Sequence, residues 1–110
     1  MILGKQEALR LHKEMWTDMR NKYGDNPLPE QRKEFKKEWC EKRFPEEIIS
    51  GNCFLCEYAK EGMFISCKKC PIVWGKYETD DTYYCRDWHN THYLRSPISE
   101  ILALPERDID

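Results

Sequence analysis

The chain has 110 residues, with 18 Lys and Arg against 20 Asp and Glu, a formal net charge of −2, and 13% aromatic and 35% charged residues. Such a length predicts one domain with a modest core and little surplus stability. The aromatic content excludes a disordered tail, the charge content excludes a membrane protein, and the near-neutral balance excludes a strongly basic nucleic-acid module. No run of about 18 apolar residues occurs. The opening Met1-Ile2-Leu3-Gly4-Lys5 lacks the apolar core of a signal peptide, so the expected location is the cytoplasm.

The first element predicted is an amphipathic helix from Lys5 to Tyr23. Ala8, Leu11, Met15 and Met19 recur at three- and four-residue steps, and Trp16 and Tyr23 widen the stripe. His12 is read as a residue at the boundary of that stripe. Gly24 ends the helix, and Asp25-Asn26-Pro27-Leu28-Pro29 breaks the chain. Pro29 then serves as a first-turn residue for a second helix over residues 30–43. Its apolar stripe is thin, with Phe35 and Trp39 one turn apart amid Lys and Glu, so it is expected to pack by two aromatic anchors and leave most of its surface wet. Pro45 breaks it, and residues 46–49 offer one further turn. Beyond this point periodicity disappears. Residues 54–59, 63–66 and 72–74 are short apolar pieces among glycines and cysteines, read as short strands or knuckle-like turns. The final predicted element is a short helix beginning near Ser96 or Pro97 and closed by Pro105, with Ile98, Ile101 and Leu102 facing the core.

The most specific chemical signal is a pair of CxxC motifs, Cys53-Phe54-Leu55-Cys56 and Cys67-Lys68-Lys69-Cys70, with ten intervening residues. Each spacing allows two sulfurs to meet one ion, and two such pairs supply the four thiolates of a tetrahedral zinc site. In a reducing compartment, close cysteine pairs favour metal over disulfide. Cys53, Cys56, Cys67 and Cys70 are the default ligands, and Cys85 is a fifth candidate able to replace Cys67 or Cys70. Buried thiols and an iron–sulfur cluster, the latter prompted by Cys70-Pro71, are the competing readings. Four thiolates around Zn2+ leave the cluster at about −2, which calls for nearby cations; Lys60, Lys68 and Lys69 lie beside the loops. A second site of the form Cys85-x3-His89-x2-His92 is a weaker signal, set against histidines that serve as polar edges of the core. Cys40, beside Trp39, reads as a packed thiol.

A closed four-thiolate site argues against a catalytic metal, which keeps an open position. No nucleophile elbow, phosphate loop, paired-histidine zinc motif or deaminase signature is present. The expectation is a protein that is not an enzyme and works by binding. Trp16, Phe35, Trp39, Trp74 and Trp88 are anchor types for protein contacts, each with core packing as its duller account. Nucleic-acid binding is the alternative: Lys33, Lys36, Lys37, Lys42 and Arg43 on the second helix, Lys68-Lys69, and Tyr83, Tyr84 and Trp88 as stacking groups. The interleaved Glu34, Glu38 and Glu41 give those lysines an ordinary role in a solvated face.

Four further stretches carry a resemblance. They are Glu7-Ala8-Leu9-Arg10-Leu11-His12-Lys13-Glu14-Met15-Trp16, Cys53-Phe54-Leu55-Cys56-Glu57-Tyr58-Ala59, Cys67-Lys68-Lys69-Cys70-Pro71-Ile72-Val73-Trp74 and Ile101-Leu102-Ala103-Leu104-Pro105-Glu106. In these the chain resembles a group of small cysteine-rich, zinc-knuckle-like proteins of phages and prophages of Gram-positive bacteria. The resemblance implies a context, the cytoplasm of a bacterial host, and a role as a stoichiometric binder of a host enzyme or defence protein, or else as a regulator of phage DNA metabolism or transcription. The second helix is where the chain is most individual, which points to Lys36, Lys37, Trp39, Lys42 and Arg43 as partner contacts. The combined expectation is an α-rich small zinc-bound domain: two N-terminal helices (residues 1–49) packed on a CxxC…CxxC knuckle module with minor β (residues 50–95), then a short C-terminal helix and tail (residues 96–110).

Overall fold

A computed structural model describes residues 3–49, 53–61, 64–65, 69–73 and 97–108. It is rich in helix with little strand. The elements are α1 (Lys5–Tyr23), α2 (Pro29–Arg43), α3 (Phe54–Ala59), β1 (Lys60–Glu61), β2 (Phe64–Ile65) and α4 (Ile98–Leu102). The strands pair antiparallel with Lys60 opposite Ile65 and Glu61 opposite Phe64.

Helix α1 is the hub, and α2, α3 and α4 all pack on it. Its bounds match the sequence expectation, but it buries more than the expected stripe. Ala8, Leu9, Leu11, His12, Met15, Trp16 and Met19 are all buried, an arc covering nearly half the helix because neighbours approach from several sides. Gly24 adopts φ 83°, a left-handed conformation that costs glycine nothing, and its N–H donates to the Arg20 carbonyl at 2.7 Å. The chain therefore turns sharply into the proline-rich link.

Helix α2 begins with Pro29 in its first turn, and the Leu28 N–H donates to Gln31 Oε1 at 2.9 Å, satisfying one donor at its start. Two aromatic anchors were expected to seat this helix. Trp39 is buried as expected, but Phe35 is only half-buried, and Arg32, Lys36 and Cys40 are buried as well. The cause is a flat apolar surface on α1: the Trp16 ring lies 6.0 Å from the Arg32 guanidinium and 5.7 Å from Lys36 Nζ, so both cations settle on an aromatic face with their aliphatic stems in the core. Arg32 Nε also donates to the Pro27 carbonyl at 3.0 Å.

No regular helix continues over residues 46–49; Ile49 is buried and Ile48 fully solvated. Residues 54–59, expected as strand or knuckle turn, are a helix. Its first backbone bond runs from the Glu57 N–H to the Cys53 carbonyl at 3.1 Å, and Phe54, Leu55 and Ala59 are buried against α1, a core that a six-residue helix needs because it cannot stand alone. Phe54 links this segment to α2 through edge-to-face contacts with Trp39 (centroids 5.6 Å apart) and Phe44 (5.7 Å).

Helix α4 follows Pro97 and buries Ile98 and Ile101, as the sequence pattern predicts, with Leu102 half-buried. Its start is capped from afar. The Ile98 N–H donates to the Asp25 carbonyl, and the Ser99 N–H and hydroxyl donate to the two Asp25 carboxylate oxygens, all at 2.8 Å. After α4 the tail runs antiparallel to residues 71–73: Val73 N–H donates to Pro105 O at 2.9 Å, Arg107 N–H donates to Pro71 O at 2.7 Å, and Ile72 lies opposite Glu106.

Candidate functional site

The expected metal ligands divide into those the structure describes and those it does not. Cys53 immediately precedes α3 and Cys70 precedes the paired segment 71–73. Both are buried in the same apolar cluster, which also contains Cys40, Trp39, Phe54, Leu55 and Ile72. Cys56 lies within α3, one turn beyond Cys53, and its side chain is outside the described residues. Cys67 and Cys85 lie outside them as well, together with Lys68, His89 and His92 of the sequence reading, and the aromatics Trp74, Tyr83, Tyr84 and Trp88. Among the described residues no group of three or more His, Cys, Asp or Glu converges as a metal cage. What they do show is compatible donor chemistry: two buried sulfurs, one from each CxxC pair, with Cys53 leading into α3 and Cys70 leading into the paired segment 71–73.

Two surrounding charges differ from expectation. Lys60 ion-pairs with the fully buried carboxylate of Glu57 at 3.1 Å, so its charge is committed there. Arg107, which the sequence reading did not single out, donates from Nε to the Cys70 carbonyl at 2.8 Å and from Nη2 to the Ile72 carbonyl at 3.0 Å. No local motif announces it, since it meets Cys70 across 37 positions of sequence. Cys40 behaves as a packed thiol. Burial pushes it up to about 11, with the Cys53 thiol and Glu41 adding to the effect and Lys36 opposing it. It is protonated at neutral pH and unreactive as a nucleophile.

The partner-contact residues read from the second helix do not form one face. Lys36 is only 5% exposed, beneath the interface with α1, because its position falls on the inward side of the helix with Arg32, Trp39 and Cys40. Trp39 is also buried, its indole N–H donating to Asp18 Oδ2 at 2.9 Å. Arg43 lies 4.4 Å over the Trp39 ring and pairs with Glu14 at 2.6 Å and Asp18 at 3.8 Å. Trp39 and Arg43 thus clamp α2 to α1. Lys37 and Lys42 are exposed. Lys42 stands at the rim of a groove of about 290 Å³ whose floor is Phe35 and Trp39 and whose remaining lining is Asp18, Lys22 and Glu38. Phe35 is braced by an edge-to-face contact with Tyr23 at 6.2 Å, and Lys22 lies 5.9 Å over its ring. Amphipathicity alone could not find this groove, because its lining comes from two helices, Asp18 and Lys22 from α1 and the rest from α2.

His12 also departs from the boundary position expected of it. It is 2% exposed, packs edge-to-face on Trp16 at 6.4 Å, and its Nε2 has no hydrogen-bond partner. Burial, reinforced by Lys36 and Lys13, pushes its pKa down to about 3, so the ring is neutral.

No protein-family model, curated protein or solved structure matches this chain.

Proposed function

We propose that the chain is a zinc-stabilised interaction protein, encoded by a phage, that binds and inhibits or redirects a bacterial host protein such as an immunity nuclease or its sensor. The zinc reading rests on the spacing of Cys53, Cys56, Cys67 and Cys70, with Cys85 as the reserve ligand. In this reading the metal is structural: it holds the cysteine half against α1 and does no chemistry.

The observation that carries the binding role is the α1–α2 groove. An aromatic floor between lysine and carboxylate rims has the composition of a protein-contact centre, where a bulky apolar side chain is desolvated and flanking charges set its register. Lys42, at its rim, and Lys37, exposed on the same helix, are the two sequence-derived contacts retained here; Lys36 is withdrawn, Trp39 lines the groove, and Arg43 stacks on the Trp39 ring. The alternative, a nucleic-acid role, draws on Lys33, Lys37 and Lys42, but the carboxylates Asp18 and Glu38 in the groove oppose a phosphate backbone.

Affinity capture from host cells expressing the full chain, followed by mass spectrometry, tests the proposal. The expected result is a host protein recovered in stoichiometric amount, with Phe35→Ala or Lys42→Glu weakening its binding at least ten-fold while thermal stability is largely retained. Loss of every protein partner, alongside a DNA or RNA affinity that falls steeply with salt, would replace this reading with the nucleic-acid one.

A further inference from the structure

The cysteine motifs draw attention to sulfur, but the strongest fixed geometry around them is backbone, and it converges on one residue. Arg107 takes the carbonyls of three successive residues: its Nε donates to Cys70 (2.8 Å), its backbone N–H to Pro71 (2.7 Å) and its Nη2 to Ile72 (3.0 Å). Val73 completes the pairing by donating to Pro105 at 2.9 Å. The Arg107 carbonyl in turn accepts from Lys5 Nζ at 2.9 Å, which ties the tail to the first turn of α1. Pro71 has no N–H and a fixed φ, so the chain leaving Cys70 is stiff and can be held there only through its carbonyls.

We infer that the C-terminal tail, residues 104–108, is a latch on the backbone of Cys70 and the residues after it, and that Arg107 is the positioning residue through which metal occupancy and tail docking are coupled. The inference rests on the zinc reading given above and adds a regulator to that site. Arg107 fixes the backbone on which the Cys70 thiol is mounted, and in this way supports a ligand from behind. A planar fork suits two carbonyls two residues apart, and a lysine would carry the charge without the two-point hold. Coupling of this kind is reciprocal. Whatever the docked tail adds to metal affinity, bound metal adds to tail docking.

The test uses the full chain with Co2+ as a spectroscopic stand-in for zinc and a chelator competition for Zn2+ affinity. Arg107→Ala is expected to weaken zinc binding about 10- to 100-fold, the range typical of residues that support metal ligands from behind. Arg107→Lys should recover little of that loss. Independently of any variant, amide exchange at Val73 and Arg107 in the native chain should accelerate at least ten-fold when metal is removed. Equal zinc affinity of the native chain and Arg107→Ala, or tail amides whose exchange ignores the metal, would overturn the latch while leaving zinc in place. Full recovery by Arg107→Lys would overturn the positioning role. A native chain that develops no thiolate-to-cobalt band would overturn the zinc reading itself, and the latch with it.

Discussion

Residues 5–43 are organised by a rule that repeats every turn, whereas residues 53–73 and 97–108 are joined by contacts between positions far apart in the sequence. In the first region every buried side chain except that of Pro27 sits on a helix whose hydrogen bonds are local, and burial against neighbours adds stability to a structure the sequence already prefers. In the second, a six-residue helix, a four-residue ladder and a five-residue helix have almost no local preference to draw on. They are held by the tail pairing, by Asp25 reaching α4, and in our proposal by zinc. The two regions should therefore respond differently when their ties are cut.

The largest effect is expected from removing the metal, either with a chelator or by Cys53→Ser. Protection of amides in α3, in the β1–β2 pair and at Val73 should collapse, while much of the far-ultraviolet helical signal of α1 and α2 persists with weakened tertiary packing. Hydrogen exchange resolved along the chain distinguishes the regions. Uniform loss across both would show that they form one cooperative unit, and no loss in either would show that the thiols are merely packed. Next in size is Trp16→Ala. This ring is 1% exposed and supports Arg32 and Lys36 as well as His12, so truncation should cost about 3–5 kcal/mol, read from the denaturation midpoint.

A smaller, pH-dependent effect belongs to His12. Its folded pKa of about 3 lies below the ordinary 6.5, so the unfolded chain binds the proton more readily. The stability contributed by a neutral, buried ring is complete above pH 6.5 and is lost progressively as the pH falls toward 3. By pH 5 the loss is about 2 kcal/mol, at 1.36 kcal/mol per pH unit below the unfolded value. Lys36 and Lys13 act in the same direction, and Arg32 shares the Trp16 face. His12→Leu should flatten the stability profile between pH 7 and pH 5, measured by urea unfolding at each pH; an unchanged slope would assign the acid sensitivity elsewhere.

The contrast between regions also explains what could be read before folding. The bounds of α1, the role of Pro29 and the buried pair Ile98 and Ile101 follow from periodicity and local backbone preference, which are written in adjacent residues. The inward turn of Lys36 was missed because a charged side chain is normally assigned to water; the Trp16 face that receives it belongs to another helix. Residues 54–59 were misread for a related reason. Phe and Tyr with cysteines look like strand, and it is packing on α1 that makes the segment helical. Arg107 was invisible altogether, since its partners are carbonyls, which carry no sequence signature. Of the candidate metal set, the spacing of the pairs was legible, and Cys53 and Cys70 belong to one buried cluster, whereas the basic face of the second helix dissolved once its residues were placed around the helix axis.

The finest test of this contrast is the Asp25–α4 contact, where a loop of the helical region caps an element of the other. Hydrogen bonds from the Ser99 hydroxyl and N–H, with help from Arg20 at 3.2 Å, hold the Asp25 carboxyl below the usual carboxylate range. Its folded pKa is depressed, so its contribution is present above the unfolded value and fades as the pH falls below about 4 through the folded one. Two kinds of contact meet at this residue and can be separated. The carboxylate serves the Ser99 N–H, whereas the backbone carbonyl serves the Ile98 N–H and survives any substitution of the side chain. Asp25→Ala should therefore accelerate amide exchange at Ser99 well beyond that at Ile98. Asp25→Asn, which keeps an acceptor oxygen, should retain part of the Ser99 protection and lose its acid dependence. Equal acceleration at both amides would mean that the side chain orders the loop as a whole, and that α4 depends on the helical region for its position as well as for its cap.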